Sequence, residues 1–347
     1  MSRLSSDKPK GLLRDGWFAT VGDYAISGGW ALHGKLLVVG DAAGGLFGFE
    51  GKSGKTIWEH QKIHGDGLLC LAVHPNGQRC ITGGQDSRAL IWNTKDGQLK
   101  QTIEFERGWV ENIAWSPDGK WLAISISRRV YVYNADDQEV WVSDDHPSTV
   151  SAIAWSEGKE LATACYGRVT FFDASSGEIR QKLEWKGSLV SMVLSPNGDI
   201  VACGSQDNSV HFWRRSTGQD SMMQGYPGKP SILAFDDTGM LLATSGGESA
   251  MVWSFEGDGP EGTHPGVLEL HVKPISALSF SGHGRQLASG ARDGAVILWL
   301  LESDGEGGVL GGALVGHIIS KLIWRPDGRA LVALDASGGV TAWRVGK

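Results

Sequence analysis

Three residues near the C-terminal end of the chain have the side chains of a hydrolytic triad: His271, Ser289 and Asp293. A triad needs an exposed hydroxyl beside its imidazole base and donors placed for the oxyanion. Ser289, however, follows Leu287 and Ala288 within an apolar, strand-like stretch. The same combination of imidazole, hydroxyl and carboxylate also occurs earlier in the chain. A catalytic site is not normally duplicated in register with a repeat, so we interpret these residues as a buried polar network and predict no catalytic residues and no enzyme activity.

Residues 257–262, GDGPEG, match the glycine pattern of dinucleotide-binding loops. That fingerprint requires a strand before it and a helix after it, and Pro260 with the neighbouring charges excludes the helix. The acidic residues in this stretch and in a later glycine-rich stretch lack the fixed spacing of a calcium loop. They are Glu256, Asp258, Glu261, Glu302, Asp304 and Glu306. We therefore predict solvated loops and no cofactor.

Histidine and cysteine residues cluster in the N-terminal quarter of the chain. They are His33, His60, His64, His74, Cys70 and Cys80. Imidazole and thiolate groups are ligands that zinc favours. His74, however, lies in a predicted hairpin turn, and the cysteine side chains are expected to face the core of a sheet. We predict no metal site here and keep metal handling as the alternative function.

The elements that must position these side chains are short strands in a repeating unit. Residues 275–299 alternate apolar and polar residues and break at two glycine-containing turns, which predicts three antiparallel strands. Similar units end on an aromatic residue every 39 to 46 residues, a period typical of propeller blades with four strands each. The closing aromatics are Phe49, Trp92, Tyr133, Phe172, Trp213, Trp253, Trp299 and Trp343.

Eight closing aromatics predict an all-β, eight-bladed propeller, with seven blades as the alternative. The last unit ends soon after its third strand, whereas residues 16–24 alternate like a strand and precede the first unit. We expect this segment to supply the outer strand of the last blade, since closing the ring removes exposed sheet edges. Residues 1–14 are predicted to be a disordered tail, and residues 15–347 a single propeller domain.

The seventh unit, with the residues Leu287-Ala288-Ser289-Gly290, Asp293 and Trp299, resembles the WD40 repeat family, and the resemblance extends from Trp17 to Val345. It implies a hydrogen-bond network of four side chains in a complete unit. By position, these are His271, Ser289, Asp293 and Trp299 in the seventh unit and His64, Thr82, Asp86 and Trp92 in the second. The Trp-Asp dipeptide itself is absent from the chain, so the repeats are divergent.

The resemblance also implies a docking face, formed by the connections between units and by the turns between the second and third strands. We call it the loop face. Arginine and aromatic residues dominate protein-interface hot spots. The residues predicted there as partner-binding candidates are Arg88, Trp109, Arg128, Arg129, Tyr166, Trp185, Gln206, Tyr226, Lys229 and Arg292.

Charge, hydropathy and cysteine usage limit both the class of partner and the cellular compartment that the sequence predicts. The formal net charge of −7 and the absence of a basic run argue against nucleic acid. No apolar segment is long enough to span a bilayer, and four single cysteines suit a reducing, cytoplasmic compartment. We predict a non-enzymatic scaffold that binds one or more proteins through its loop face. The alternative is a propeller that binds a metal or small ligand through its first two units or its central channel.

Overall fold

The computed structural model describes residues 12–257 and 259–346, and strands dominate both ranges. The described residues contain 30 strands and one short 3-10 helix, Leu32–Gly34. No helix in these ranges is long and apolar enough to cross a membrane. The predicted tail falls mostly on residues 1–11, which lie outside the described residues. The first strand already begins at Leu13.

The strands are as follows, in chain order. β1 is Leu13–Thr20, and the first unit has β2 Ala25–Ala31, β3 Leu36–Asp41, β4 Leu46–Glu50 and β5 Thr56–His60. The second has β6 Leu68–Val73, β7 Arg79–Gly84, β8 Arg88–Asn93 and β9 Leu99–Glu104. The third has β10 Val110–Trp115, β11 Trp121–Ile126, β12 Arg129–Asn134 and β13 Glu139–Val142. The fourth and fifth share β14 Ala152–Ser156, β15 Glu160–Asp173, β16 Ile179–Leu194, β17 Ile200–Ser205, β18 Val210–Arg214 and β19 Gln219–Met223.

The sixth unit has β20 Leu233–Phe235, β21 Leu241–Thr244, β22 Ala250–Ser254 and β23 Gly266–Leu268. The seventh has β24 Ile275–Phe280, β25 Gln286–Ala291, β26 Ala295–Leu301 and β27 Gly307–Leu314. The last has β28 Ile319–Trp324, β29 Ala330–Asp335 and β30 Gly339–Val345. Within each unit the strands are antiparallel, and the first strands of successive units contact one another around a central axis.

The prediction of eight separate blades is wrong. The described strands form seven sheets, six of four strands and one of six, so the propeller has seven blades when each hydrogen-bonded sheet counts as one. The difference arises because Tyr166 pairs with Ser188, so that β15 and β16 run on without a break and join the fourth and fifth sequence units. This wide sheet places two strands near the axis, β14 and the C-terminal part of β16.

The predicted closure of the ring is confirmed. β1 pairs antiparallel with β30, from Leu13 opposite Val345 to Thr20 opposite Gly339. The last sheet therefore takes three strands from the C-terminal end and its outer strand from the N-terminal end.

The core is divided into clusters between neighbouring sheets. One cluster joins Leu37 and Phe49 of the first unit to Val332 and Leu334 of the last. Because a sheet in the ring has a neighbour on each side, both faces of its middle strands are apolar, and all six residues of β3 are buried. Apolar burial on both faces stabilises each sheet against its neighbours at roughly 25 cal/mol per Å² of area buried.

Tryptophans on outer strands fasten neighbouring units to each other. Trp58 Nε1 donates a hydrogen bond to Thr94 O of the next unit, at 2.9 Å, and Trp141 Nε1 donates to Ala174 O, also at 2.9 Å. Trp17 of β1 makes the same contact with Gly51 O, at 3.0 Å, across the junction where the ring closes. These bonds hold the outer edges of the ring, where the sheets are furthest apart.

Candidate interaction surface

Two units contain a complete four-residue network beneath the loop face. In the second unit, Trp92 Nε1 lies 3.1 Å from Thr82 Oγ1, which lies 2.9 Å from His64 Nε2. His64 Nδ1 lies 2.9 Å from Asp86 Oδ1. Burial lowers the pKa of His64, so the ring is neutral at pH 7 and the donors form one chain. The indole donates to the hydroxyl, the hydroxyl to Nε2, and Nδ1–H to the carboxylate.

The seventh unit repeats this arrangement. Ser289 Oγ lies 2.8 Å from both Trp299 Nε1 and His271 Nε2, and His271 Nδ1 lies 3.2 Å from Asp293 Oδ2. Ser289 is 0% exposed, and its hydroxyl is fully used within the network. It lacks the exposure that a nucleophile requires.

The sixth unit contains a third network that the sequence interpretation missed. The Tyr226 hydroxyl lies 2.8 Å from Thr244 Oγ1 and accepts a hydrogen bond from Trp253 Nε1, also at 2.8 Å. Tyr226 is only 7% exposed, and burial raises its pKa to about 12. The Tyr226 hydroxyl therefore stands where other units have a histidine. The residue also lines a pocket on the loop face, so its role in partner binding stays a prediction. The sequence feature that could have revealed this network is a spacing. Tyr226 precedes Thr244 by 18 residues, the same separation as between His64 and Thr82.

Other units retain only parts of the network. In the fourth unit His146 Nε2 lies 2.9 Å from Thr163 Oγ1, but the tryptophan is replaced by Phe172. The first and last units use a buried aspartate within the turn on the loop face. Asp41 accepts a hydrogen bond from the amide of Gly45 at 2.7 Å, and Asp335 accepts one from the amide of Gly339 at 2.9 Å.

Three histidines of the first two units have hydrogen-bond partners within the chain. His60 Nε2 contacts Gly97 O at 2.7 Å and His74 Nε2 contacts Gly119 O at 3.0 Å, while His64 belongs to its network. Within residues 12–257 and 259–346, no group of three or more His, Cys, Asp or Glu side chains is placed to hold an ion. Burial raises the pKa of the Cys70 and Cys80 thiols to about 12, which disfavours thiolate ligands. The metal alternative has no support in this region.

The loop face presents the partner-binding candidates very unequally. Trp109 is 52% and Tyr166 55% exposed, and Gln206 is exposed on the same face. Trp185 is instead stacked on His211, with ring centroids 3.8 Å apart. It therefore packs within the protein rather than projecting into solvent.

Three of the candidate arginines have acceptors within the chain. Arg88 lies 2.6 Å from the Asp86 carboxylate and therefore extends the second unit's network to the surface. Arg129 lies 2.7 Å from Asp145, and Arg128 Nε donates to His146 O at 2.7 Å. Each of these three arginines therefore already donates hydrogen bonds to an acceptor within the chain.

Lys229 and Arg292 differ, because they meet at a pocket of about 760 Å³ between the sixth and seventh units. Both side chains are exposed, and neither has a carboxylate oxygen within 4.0 Å among the described residues. The glycine-rich turn of residues 245–249 and the apolar side chains of Ile232 and Met251 form much of the lining. The pocket therefore combines two uncompensated positive charges with backbone groups and an apolar floor. Glu248 contributes its only lining carboxylate.

Two family models match parts of the chain. A model described as WD domain, G-beta repeat, matches residues 177–214 and 262–299. A model described as outer membrane protein assembly factor BamB matches residues 17–182, the part that contains Trp17, Trp58 and Trp141.

Relatives of known name match at low identity. The mouse telomerase protein component 1 is 22% identical over 298 residues, which are 82% of this chain and 11% of that protein. The Schizosaccharomyces pombe target of rapamycin complex subunit wat1 is 24% identical over 233 residues, 64% of this chain and 74% of that one. The chain spans only about a tenth of the length of the telomerase components that it matches.

A solved structure of similar fold is that of the computationally designed Ika8 protein. It superposes with a TM-score of 0.81 at 19% identity, over 96% of this chain and 100% of that one. At this identity the similarity establishes the propeller fold alone. The two repeat matches, together with the two complete histidine–hydroxyl–aspartate–tryptophan networks, support the assignment of this chain as a WD40-type β-propeller.

Proposed function

We propose that this propeller is a non-enzymatic, cytoplasmic scaffold that binds an acidic segment of a partner protein on its loop face. The supporting observation is the pocket of Lys229 and Arg292, where two exposed cations lack a carboxylate partner among the described residues. A relative whose name describes it as a subunit of a complex, the wat1 protein, supports a role in assembly. Burial of the network hydroxyls supports the absence of catalysis.

The proposed recognition mechanism is electrostatic. Charge-assisted hydrogen bonds from a guanidinium or ammonium group to a carboxylate are about twice as strong as hydrogen bonds between neutral groups. Trp109 and Tyr166 supply exposed aromatic area elsewhere on the same face, where a longer partner would gain further contacts. The four free cysteines, three of them buried, suit the reducing cytoplasm.

The test is a comparison of two charge-reversal variants of the full chain. Lys229→Glu/Arg292→Glu changes the proposed pocket, while Arg128→Glu/Arg129→Glu makes the same charge change on the loop face at arginines that already have acceptors. Binding of a fluorescent glutamate-rich peptide is measured by anisotropy, and partner capture from native lysate is quantified in parallel. We expect the pocket variant to weaken peptide binding by about tenfold or more, equivalent to about 1.4 kcal/mol.

The control variant should bind the peptide within about twofold of the original protein, a difference of about 0.4 kcal/mol. Equal weakening in both variants would mean that the general charge of the face attracts the peptide and that the pocket has no special role. Unchanged binding in the pocket variant would refute the proposed site.

A further inference from the structure

A second pocket lies where the ring closes, on the face opposite the loop face. It has a volume of about 640 Å³ and lies between the last and first units. In the other sheets a turn joins the third and fourth strands on this face. In the last sheet these strands are β30 and β1, which are far apart in sequence, so among the described residues no short turn joins them. A recess lies at this position, and we call it the seam pocket.

The seam pocket is strongly basic. Five of its lining residues are cations: Arg14, Lys52, Arg325, Arg329 and Arg344. Among the described residues, only Arg325 has a carboxylate within 4.0 Å, that of Asp327 at 2.8 Å. The whole chain has a formal net charge of −7, so this is a local concentration of the opposite sign.

Packing places several of these cations on both sides of the seam. Arg325 extends from the last unit over Gly34 of the first, where a Cβ on the glycine would lie 2.8 Å from the arginine Cδ. Lys52 enters from the turn of the first unit. The cations therefore approach one recess from two separate units.

The stability of the sheet does not account for this arrangement. Arg14 lies directly opposite Arg344 in the β1–β30 pair, and like charges at opposed positions destabilise an antiparallel pair. Arg344 Nε donates to Asp15 O at 3.0 Å, a backbone acceptor that leaves the positive charge uncompensated. An anionic ligand would convert this repulsion into favourable contacts.

We propose that the seam pocket binds a compact polyanion carrying two or more phosphate groups. Arginine favours phosphate because its planar guanidinium donates two parallel hydrogen bonds to the oxygens. Five cations in one recess match several closely spaced negative charges. An extended polyanion would instead meet the net negative charge of the remaining surface, which opposes its binding. A free polyphosphorylated molecule and a polyphosphorylated lipid headgroup share the required chemistry.

The first experiment measures binding of inorganic tripolyphosphate to the full chain by calorimetry. Arg14→Gln/Arg329→Gln removes two exposed seam cations. The control, Lys120→Gln/Arg285→Gln, removes two exposed cations from turns on the same face of other units. We expect the seam variant to weaken binding by about tenfold or more and the control by less than about twofold. Thermal unfolding of both variants checks that each still folds.

Several results would overturn the proposal: no binding of tripolyphosphate by the folded protein, equal weakening in both variants, or tighter binding of a single-stranded RNA oligonucleotide than of tripolyphosphate. Phosphatidylcholine vesicles with and without phosphatidylinositol bisphosphate then distinguish the two sources. Seam-dependent binding of only the bisphosphate vesicles, in addition to tripolyphosphate, identifies a lipid headgroup. Binding of tripolyphosphate without vesicle binding identifies a free ligand.

Discussion

Thr82 and Ser289 each place one hydroxyl between an indole N–H and an imidazole nitrogen. Removing that hydroxyl leaves two buried polar atoms without a partner, and an unsatisfied buried group costs more than the average hydrogen bond. These residues are therefore the central links of their networks.

We expect Thr82→Val and Ser289→Ala each to lower the free energy of unfolding by about 1–3 kcal/mol. Urea denaturation should show a lower midpoint with an unchanged slope. Because the two networks lie in different sheets, the double variant should show the sum of the two effects. Thr56→Val, at an exposed strand position, is the control and should change little. A similar loss in the control would contradict a special role for the network hydroxyl.

Lys321 presents the opposite situation at the residue scale, because it is a partly buried cation that no carboxylate compensates among the described residues. Its Nζ donates to Ser27 Oγ at 3.0 Å, and no carboxylate lies within 4.0 Å among the described residues. Burial lowers the pKa of Lys321 from its usual 10.5. At pH values between the lowered pKa of the folded protein and 10.5, Lys321 is more fully protonated in the unfolded chain than in the folded protein. The contribution of Lys321 to the free energy of unfolding therefore rises with pH in that range.

We expect Lys321→Met to raise the free energy of unfolding at pH 7 by about 1 kcal/mol, because it removes a partly buried, poorly compensated charge. The advantage of the variant should shrink as pH rises toward 10.5. Denaturation of both proteins at a series of pH values checks this. A constant difference across the series would show that burial of charge is not the cause.

At the scale of elements, Trp58 of β5 connects the first two units in two ways. Its indole donates to Thr94 O, and its ring covers Gly97, where a Cβ would lie 2.7 Å from the indole. Gly97 also has a φ of 71°, a conformation that favours glycine. The turn and the tryptophan therefore depend on each other.

We expect Trp58→Phe to cost about 1 kcal/mol, the value of the lost hydrogen bond. Trp58→Ala should cost about 2–4 kcal/mol, because the lost packing adds to it. Denaturant midpoints give both values. Leu99→Ala, at an exposed position on the outer strand of the second unit, is the matched control. Equal losses for the Phe and Ala variants would show that ring packing contributes nothing.

The strands themselves were predictable, because period-two patterning and glycine turns are local properties of the chain. The complete networks followed from the family resemblance, since their residues occupy fixed positions in a unit. The position of Tyr226 in the connection before the sixth unit predicts a place on the loop face, whereas its 18-residue spacing from Thr244 matches that of a network residue. The union of β15 with β16 was not predictable, because the Tyr166–Ser188 pair depends on how two units meet in space.

For the whole molecule, the two faces of the ring carry pockets with different linings. The pocket of Lys229 and Arg292 is a cleft with an apolar floor, suited to a peptide. The seam pocket is a recess of five cations, suited to a small polyanion. The sequence indicated the first through the position of its residues on the loop face. It did not indicate the second, because residues 1–14 are predicted to be a disordered tail, and only the register of β1 on β30 places Arg14 opposite Arg344.

That closure also determines the order of events during synthesis. β1 leaves the ribosome well before its partner β30, which ends at Val345, so β1 remains unpaired while all the strands between the two are made. During that interval β30 of another molecule can accept it, which would produce a strand-exchanged dimer. Joining the present termini through a turn and opening the chain between two other units would remove the delay while retaining every strand pair within one molecule.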